Sequence, residues 1–244
     1  MKRNILQLDQ KESPWKHFLQ EFFEDTNSAL NFFHESSPAG ACLDRIRHDL
    51  VFVNAELASP GLLQKLNVLR QSSPDFRVFE LSPNGKKSSG FRFDDFFHDT
   101  SSLHNFQKQL LQHLPLAEKI RVLVVDDEAE IGAMVRDFFD GRNQPAFDVA
   151  YVDNGEKGLK AIEKNRPDVV ILDIKMPVMD GREVYREIRT RKWNIPVIIF
   201  FDSISGDEMI EIHKYGRPAV VEKGARQSAM PEMLSLVKKM AYFG

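Results

Sequence analysis

Apolar positions in the C-terminal half of this chain fall into short β-branched runs separated by segments with helical spacing. The runs at 120–125, 147–152, 169–172, 196–201 and 218–222 predict strands. Between and after them, apolar residues three and four apart predict helices over 130–140, 155–165, 182–191, 206–215 and 230–240. In the last of these, Met233, Val237 and Met240 share one face. Strands alternating with helices imply a parallel sheet covered on both faces.

The N-terminal half repeats the layout more faintly. A run from Arg3 leads into Asp9-Gln10, and Trp15, Phe18, Leu19, Phe22 and Phe23 follow at helical spacing. Further strands are expected at 48–54, 76–81 and 91–97, and a closing helix over 102–114. Between Ser82 and Phe91 stands only PNGKKSSG, too short for a helix with its loops. One flank of this sheet should therefore be less covered, leaving apolar surface to bury against another domain or subunit. The expected organisation is a degenerate domain over 1–114, a short linker over 115–119 with restricted motion, and a second domain over 120–244.

The chemistry stands at the strand ends. Asp126 and Asp127 close the run ending in Val125, and Asp173 closes the run ending in Leu172. In a doubly wound sheet, ligands bind beyond the carboxyl ends of the strands, where the strand order reverses. Three carboxylates converging there would repel one another unless a hard cation such as Mg²⁺ shares their oxygens. Taken singly, each acid also suits a helix cap or a turn.

VVDDE at 124–128, LDIKMPVMDG at 172–181 and the late Lys223 together resemble the receiver domain of bacterial two-component response regulators. The resemblance covers essentially all of 120–244. It implies a flavodoxin-like, CheY-like (βα)5 fold for that half, and the N-terminal half looks like a degraded copy, a pseudo-receiver without its fourth helix. By resemblance, Asp173 is the phosphoacceptor, and Asp126 and Asp127 hold Mg²⁺ (or Mn²⁺). The backbone carbonyl of Lys175 is a further ligand, and Lys223 pairs with the phosphoryl oxygens. Phosphoryl transfer needs positioning and charge neutralisation more than covalent help, which suits this set. In the N-terminal copy Asp9 and Gln10 stand for the acid pair, Asn54 for the acceptor, and His98-Asp99 where the lysine would be.

The sequence departs from the family at its switch. Receivers carry Thr or Ser at the end of the fourth strand, 22 residues before the lysine; here that position is Phe201. Ser203 would replace the hydroxyl only if the loop bulges. Asp202, where a very small residue is usual, would repel a phosphoryl group, pair with Lys175 or Lys223, or face solvent. The usual fifth-strand aromatic is Val220, and the proline after the lysine is Gly224. The expectation is a working acceptor whose readout does not use the standard hydroxyl–aromatic coupling.

Composition adds bounds. Net charge is −3, with no long Lys/Arg run, so direct nucleic-acid binding is not expected. Cys42 is the single cysteine, which fits a reducing compartment. The apolar runs are of strand length, so no membrane insertion is expected and the location reads as cytoplasmic. No catalytic output motif follows, so the chain is not read as an enzyme beyond its own phosphorylation. The expected partners are a sensor histidine kinase or histidine phosphotransfer protein and a downstream protein. A homodimer through 209–215, 218–221 and 233–240 is a further expectation. Two alternatives stand beside this: a phosphorylation-independent scaffold, and the input region of a longer response-regulator enzyme. A Mg²⁺-dependent phosphatase is disfavoured, because VVDDE lacks the D-x-D spacing of such nucleophiles.

Overall fold

The computed structural model describes residues 3–34, 43, 47–82, 85, 87, 91–140, 145–224 and 226–244, without the side chains of 226–228. Cys42 and most of the 83–90 turn lie outside the described residues. The chain divides into two compact units, Met1–Pro115 with Phe243, and Leu116–Tyr242 with Gly244.

The first unit runs β1 (Asn4–Leu8), α1 (Pro14–Phe23), β2 (Ala29–Phe33), β3 (Leu50–Asn54), α2 (Pro60–Ser72), β4 (Arg77–Leu81), β5 (Asp95–Phe97) and α3 (Leu103–Leu111). The second runs β6 (Lys119–Val125), α4 (Ala129–Phe139), β7 (Ala146–Val152), α5 (Gly155–Asn165), β8 (Val169–Leu172), α6 (Gly181–Thr190), β9 (Val197–Phe201), α7 (Gly206–His213), β10 (Ala219–Glu222) and α8 (Arg226–Phe243). Both sheets are parallel throughout, ordered β2-β1-β3-β4-β5 and β7-β6-β8-β9-β10. The two units thus share one doubly wound topology, the 2-1-3-4-5 order of the flavodoxin-like fold.

In the second unit, alternate side chains of the central strands feed two core layers. Val122, Val124, Ile171, Ile198 and Phe200 pack with α4 and α8, through Ile131, Val135, Met233, Val237 and Met240. Leu123, Val125, Leu172, Val197 and Ile199 pack with α5, α6 and α7, through Ile162, Val184, Ile188 and Ile212. The last helix starts four residues before the expected Met230 and runs through Pro231. Its missing N–H falls in the second turn, where the rest of the helix carries the element across.

The first unit corrects one expectation. Its fifth strand is only Asp95–Phe97, not the whole 91–97 stretch. Phe91 and Phe93 instead form an edge-to-face pair, centroids 4.7 Å apart, on the α2 side of the core beside Leu66, Leu69 and Val78. Arg70 covers Phe91 at 5.2 Å and ion-pairs with Asp94 at 2.7 Å. The segment before β5 thus adds aromatic cover to the α2 side of this sheet. Among the described residues, Val68 is the one strongly exposed large hydrophobic of this unit. Inside the unit, Phe18, Phe22 and Phe97 surround Phe106, with centroids 4.5 to 5.1 Å away.

Candidate phosphoacceptor site

The carboxyl ends of β6 and β8 carry the acids into one crevice. The register aligns Val125 with Leu172, so Asp126 and Asp173 follow side by side. Backbone bonds hold both: Asp126 N–H donates to Val152 O at 3.2 Å and Asp173 N–H to Val125 O at 2.9 Å. Asp126 and Asp173 are 1% and 5% exposed, whereas Asp127 lies in the open. Lys223, itself 2% exposed, follows β10 and is anchored by its N–H on Phe201 O. Its ammonium stands 2.9 Å from Asp126 Oδ2 and 2.9 Å from Asp173 Oδ1, with Glu128 Oε1 at 3.5 Å.

Burial pushes Asp126 up to about 6, against the opposing pull of Lys223 and of the Glu128 N–H on its carboxylate. Asp173 also lies above the ordinary carboxylate range, because burial outweighs the Lys223 ammonium. Burial works against the charge on Lys223, but its hydrogen bonds to the two aspartates dominate and raise its pKa. The site is thus a buried cation held between two costly anions.

The loop after Asp173 shows why the motif reads as it does. Gly181 N–H donates to Ile174 O at 2.9 Å, and a Cβ there would lie 2.0 Å from Asp173 O. Glycine lets α6 begin directly against the acceptor's backbone. Val178, 77% exposed, turns this loop at φ 73°, a left-handed conformation that costs a β-branched residue free energy. Gly181→Ala is expected to destabilise the second unit by about 2 kcal/mol through the forced backbone shift. Urea unfolding would measure it, and an unchanged midpoint would show that the loop yields freely.

The departures are placed as follows. Phe201 is half-buried and packs with Ile204 against the α5–α7 layer. Ser203 does not take the missing hydroxyl's place: it is exposed and its Oγ accepts from Lys175 Nζ at 3.0 Å. Asp202 is largely in solvent, with Oδ2 4.0 Å from Lys223 Nζ. Val220 is 40% exposed on β10 and Ile210 61% on α7, whereas Met233 and Met240 of the expected dimer face are core residues.

Among the described residues, no three His, Cys, Asp or Glu side chains are grouped closely enough to hold a metal ion, because Lys223 stands between the acids. The donor set nevertheless fits a hard divalent cation. Asp126 Oδ2 is buried, and the Lys223 ammonium at 2.9 Å is the cation that faces it. An oxygen-only set of carboxylates is what Mg²⁺ takes.

The first unit offers the same crevice with different chemistry. Leu8 aligns with Val53, so Asp9 and Asn54 occupy the places of Asp126 and Asp173. Asn54 Nδ2 donates to Asp9 Oδ1 at 2.7 Å, and Gln7 Nε2 to Asp9 Oδ2 at 2.9 Å. Gln10, at the place of Asp127, donates its N–H to Asp9 Oδ1. Amides thus satisfy Asp9. Asn54 pairs with Leu81, as Asp173 would with Phe200, so Ser82 holds the position of Phe201. Leu81 pairs with Phe97 and Phe200 with Val221, which puts Asp99 at the place of Lys223. Sequence reading did not single out Gln7; its only signal is a polar residue in an otherwise apolar strand.

Comparison with known proteins fits this geometry. Residues 122–235 match the family model of the response regulator receiver domain. The second unit is a receiver domain. A protein-glutamate methylesterase/protein-glutamine glutaminase of Bacillus subtilis is 45% identical over 80 residues, 33% of this chain and 22% of that protein. The transcriptional regulatory protein PrrA of Mycobacterium tuberculosis is 36% identical over 90 residues, 37% of each chain. The response regulator domain of Thermotoga maritima CheB is 29% identical, covering 50% of this chain and 96% of that one, with a TM-score of 0.44. The chain spans well under half the length of these two curated relatives. No helix among the described residues is long and apolar enough to cross a membrane.

Proposed function

We propose that this chain is a two-component response regulator that accepts a phosphoryl group on Asp173 and signals through protein contacts. The carrying observation is the buried Asp126–Lys223–Asp173 cluster at the strand ends of a receiver domain. The donor is a histidine kinase or histidine phosphotransfer protein. An Asp173 carboxylate oxygen attacks phosphorus, the P–N bond to the donor imidazole breaks, and the freed nitrogen takes a proton from water. A Mg²⁺ or Mn²⁺ ion held by Asp126, Asp127, Asp173 and the Lys175 carbonyl would supply Lewis-acid charge neutralisation. Lys223 yields Asp126 and stays with Asp173, where its ammonium offsets the charge of the transferred group.

The first unit is a pseudo-receiver in this reading, since Asn54 is not nucleophilic and Asp9 is tied up by amides. Phe201 removes the standard switch hydroxyl, so the response runs through other contacts, among them the exposed α7–β10 face with Ile210 and Val220. A downstream protein or a second copy would bind there. We place the protein in the cytoplasm, without direct nucleic-acid binding. The scaffold reading is favoured by one observation, the engagement of Ser203 by Lys175.

Incubation with Mg²⁺ and acetyl phosphate, followed by intact-mass and peptide mapping, tests the proposal. One phosphoryl adduct on the peptide holding Asp173 is expected. No adduct from either acetyl phosphate or a panel of phosphorylated histidine donors would leave the scaffold reading standing.

A further inference from the structure

Tyr151 belongs to none of the roles above. It lies in β7 opposite Val124, two residues before Asp126, and the next residue's carbonyl, on Val152, accepts from Asp126 N–H. Its ring packs against Gly132 of α4, the helix that starts just after the acid pair. A Cβ on Gly132 would come within 2.3 Å of Tyr151 Cδ2 and 2.7 Å of Cγ, so glycine at that position makes the seat for the ring. The phenol oxygen is buried and has no hydrogen-bond partner among the described residues. A hydroxyl hidden from water without a partner costs roughly 1–3 kcal/mol, and packing alone would be served as well by phenylalanine. Burial holds the phenol above the usual tyrosine range, and the charges of Asp126, Asp153 and Asp127 push the same way.

We propose that Tyr151 is a positioning residue of the phosphoacceptor site: when a divalent cation is bound, its buried hydroxyl donates to the Asp126–Asp127 carboxylates or to a water they hold, and fixes their orientation. This rests on the reading of that site as a metal-dependent phosphoacceptor. A phenol is a good donor to a carboxylate or a metal-bound water, and it stays neutral at physiological pH. Outer hydrogen bonds of this kind typically change metal affinity about 10–100-fold.

The test uses the full chain and Mn²⁺ alone as probe, with free Mn²⁺ counted by electron paramagnetic resonance. Tyr151→Phe keeps the ring and is expected to weaken Mn²⁺ binding about tenfold. Its thermal midpoint should stay within a few degrees of wild type, and its phosphorylation rate at saturating Mn²⁺ within about twofold, since the hydroxyl acts through the metal ligands. Gly132→Ala, which displaces the ring without removing the hydroxyl, is expected to weaken binding in the same direction. Equal Mn²⁺ affinity in wild type and Tyr151→Phe would overturn the inference while leaving the site reading intact. Absence of Mn²⁺ binding in the wild type would overturn both.

Discussion

Asp173→Asn is expected to abolish phosphoryl incorporation, lowering it by about three orders of magnitude or more, as loss of a nucleophile does. An amide is nearly isosteric with a carboxylate but supplies neither the attacking anion nor the charge that a divalent cation requires. The chain contains its own precedent. Asn54 occupies the equivalent place in the first unit and spends its amide on Asp9, at 2.7 Å. The variant should accordingly fold, with its new amide able to donate toward Asp126. Intact mass after exposure to Mg²⁺ and acetyl phosphate, with beryllofluoride as a non-covalent mimic, reads the outcome. Persistence of a full adduct in the variant would move the acceptor to another carboxylate and end the assignment of Asp173.

The sequence shows the second unit nearly complete because its periods are clean: fully buried central strands read as unbroken apolar runs, and each helix presents one stripe. Asp126, Asp173 and Lys223 are legible because each sits directly after such a run, and parallel register brings strand ends together. The first unit is harder to read for physical reasons. β2 is an edge strand, half-buried along its length and interrupted by Asn31. α2 buries only Leu62 and Leu66, too thin a stripe to announce a helix. Phe91 and Phe93 alternate like strand residues, but they cap the α2 side as an aromatic pair, so the apparent strand is mostly a strap. The fate of Ser203 was also beyond the sequence, because the Lys175 ammonium that engages it comes from a different loop. Nor does spacing reveal that Lys223 stands between the acids, since a strand-end lysine reads equally well as a surface residue.

That last feature carries the second large effect. Lys223→Met is expected to destabilise the metal-free second unit by about 3 kcal/mol at pH 8, the scale seen when one partner of a buried ion pair is removed. Asp126 and Asp173 would then face each other without the ammonium that now stands 2.9 Å from each. Methionine fills the volume, so the loss is electrostatic rather than a cavity. The pH dependence has a definite sign. The folded value of Asp126, about 6, already lies above its ordinary 3.8, so its contribution favours the fold below about 4 and is withdrawn as pH rises through about 6. Removing Lys223 deletes an influence that lowers this value, and the folded pKa moves higher still. The gap between variant and wild type should therefore be small near pH 4 and widen above pH 6. A divalent cation would stand in for the lost charge, so millimolar Mg²⁺ should recover much of the stability at pH 8, while phosphorylation stays slow for want of the ammonium on the transferred group. Urea titrations of both proteins at pH 4.5 and 8, with and without Mg²⁺, measure all of this. A gap that does not change with pH would mean that Lys223 contributes by packing its stem against Phe200, which its ammonium overlies at 5.7 Å, rather than by holding the two acids apart.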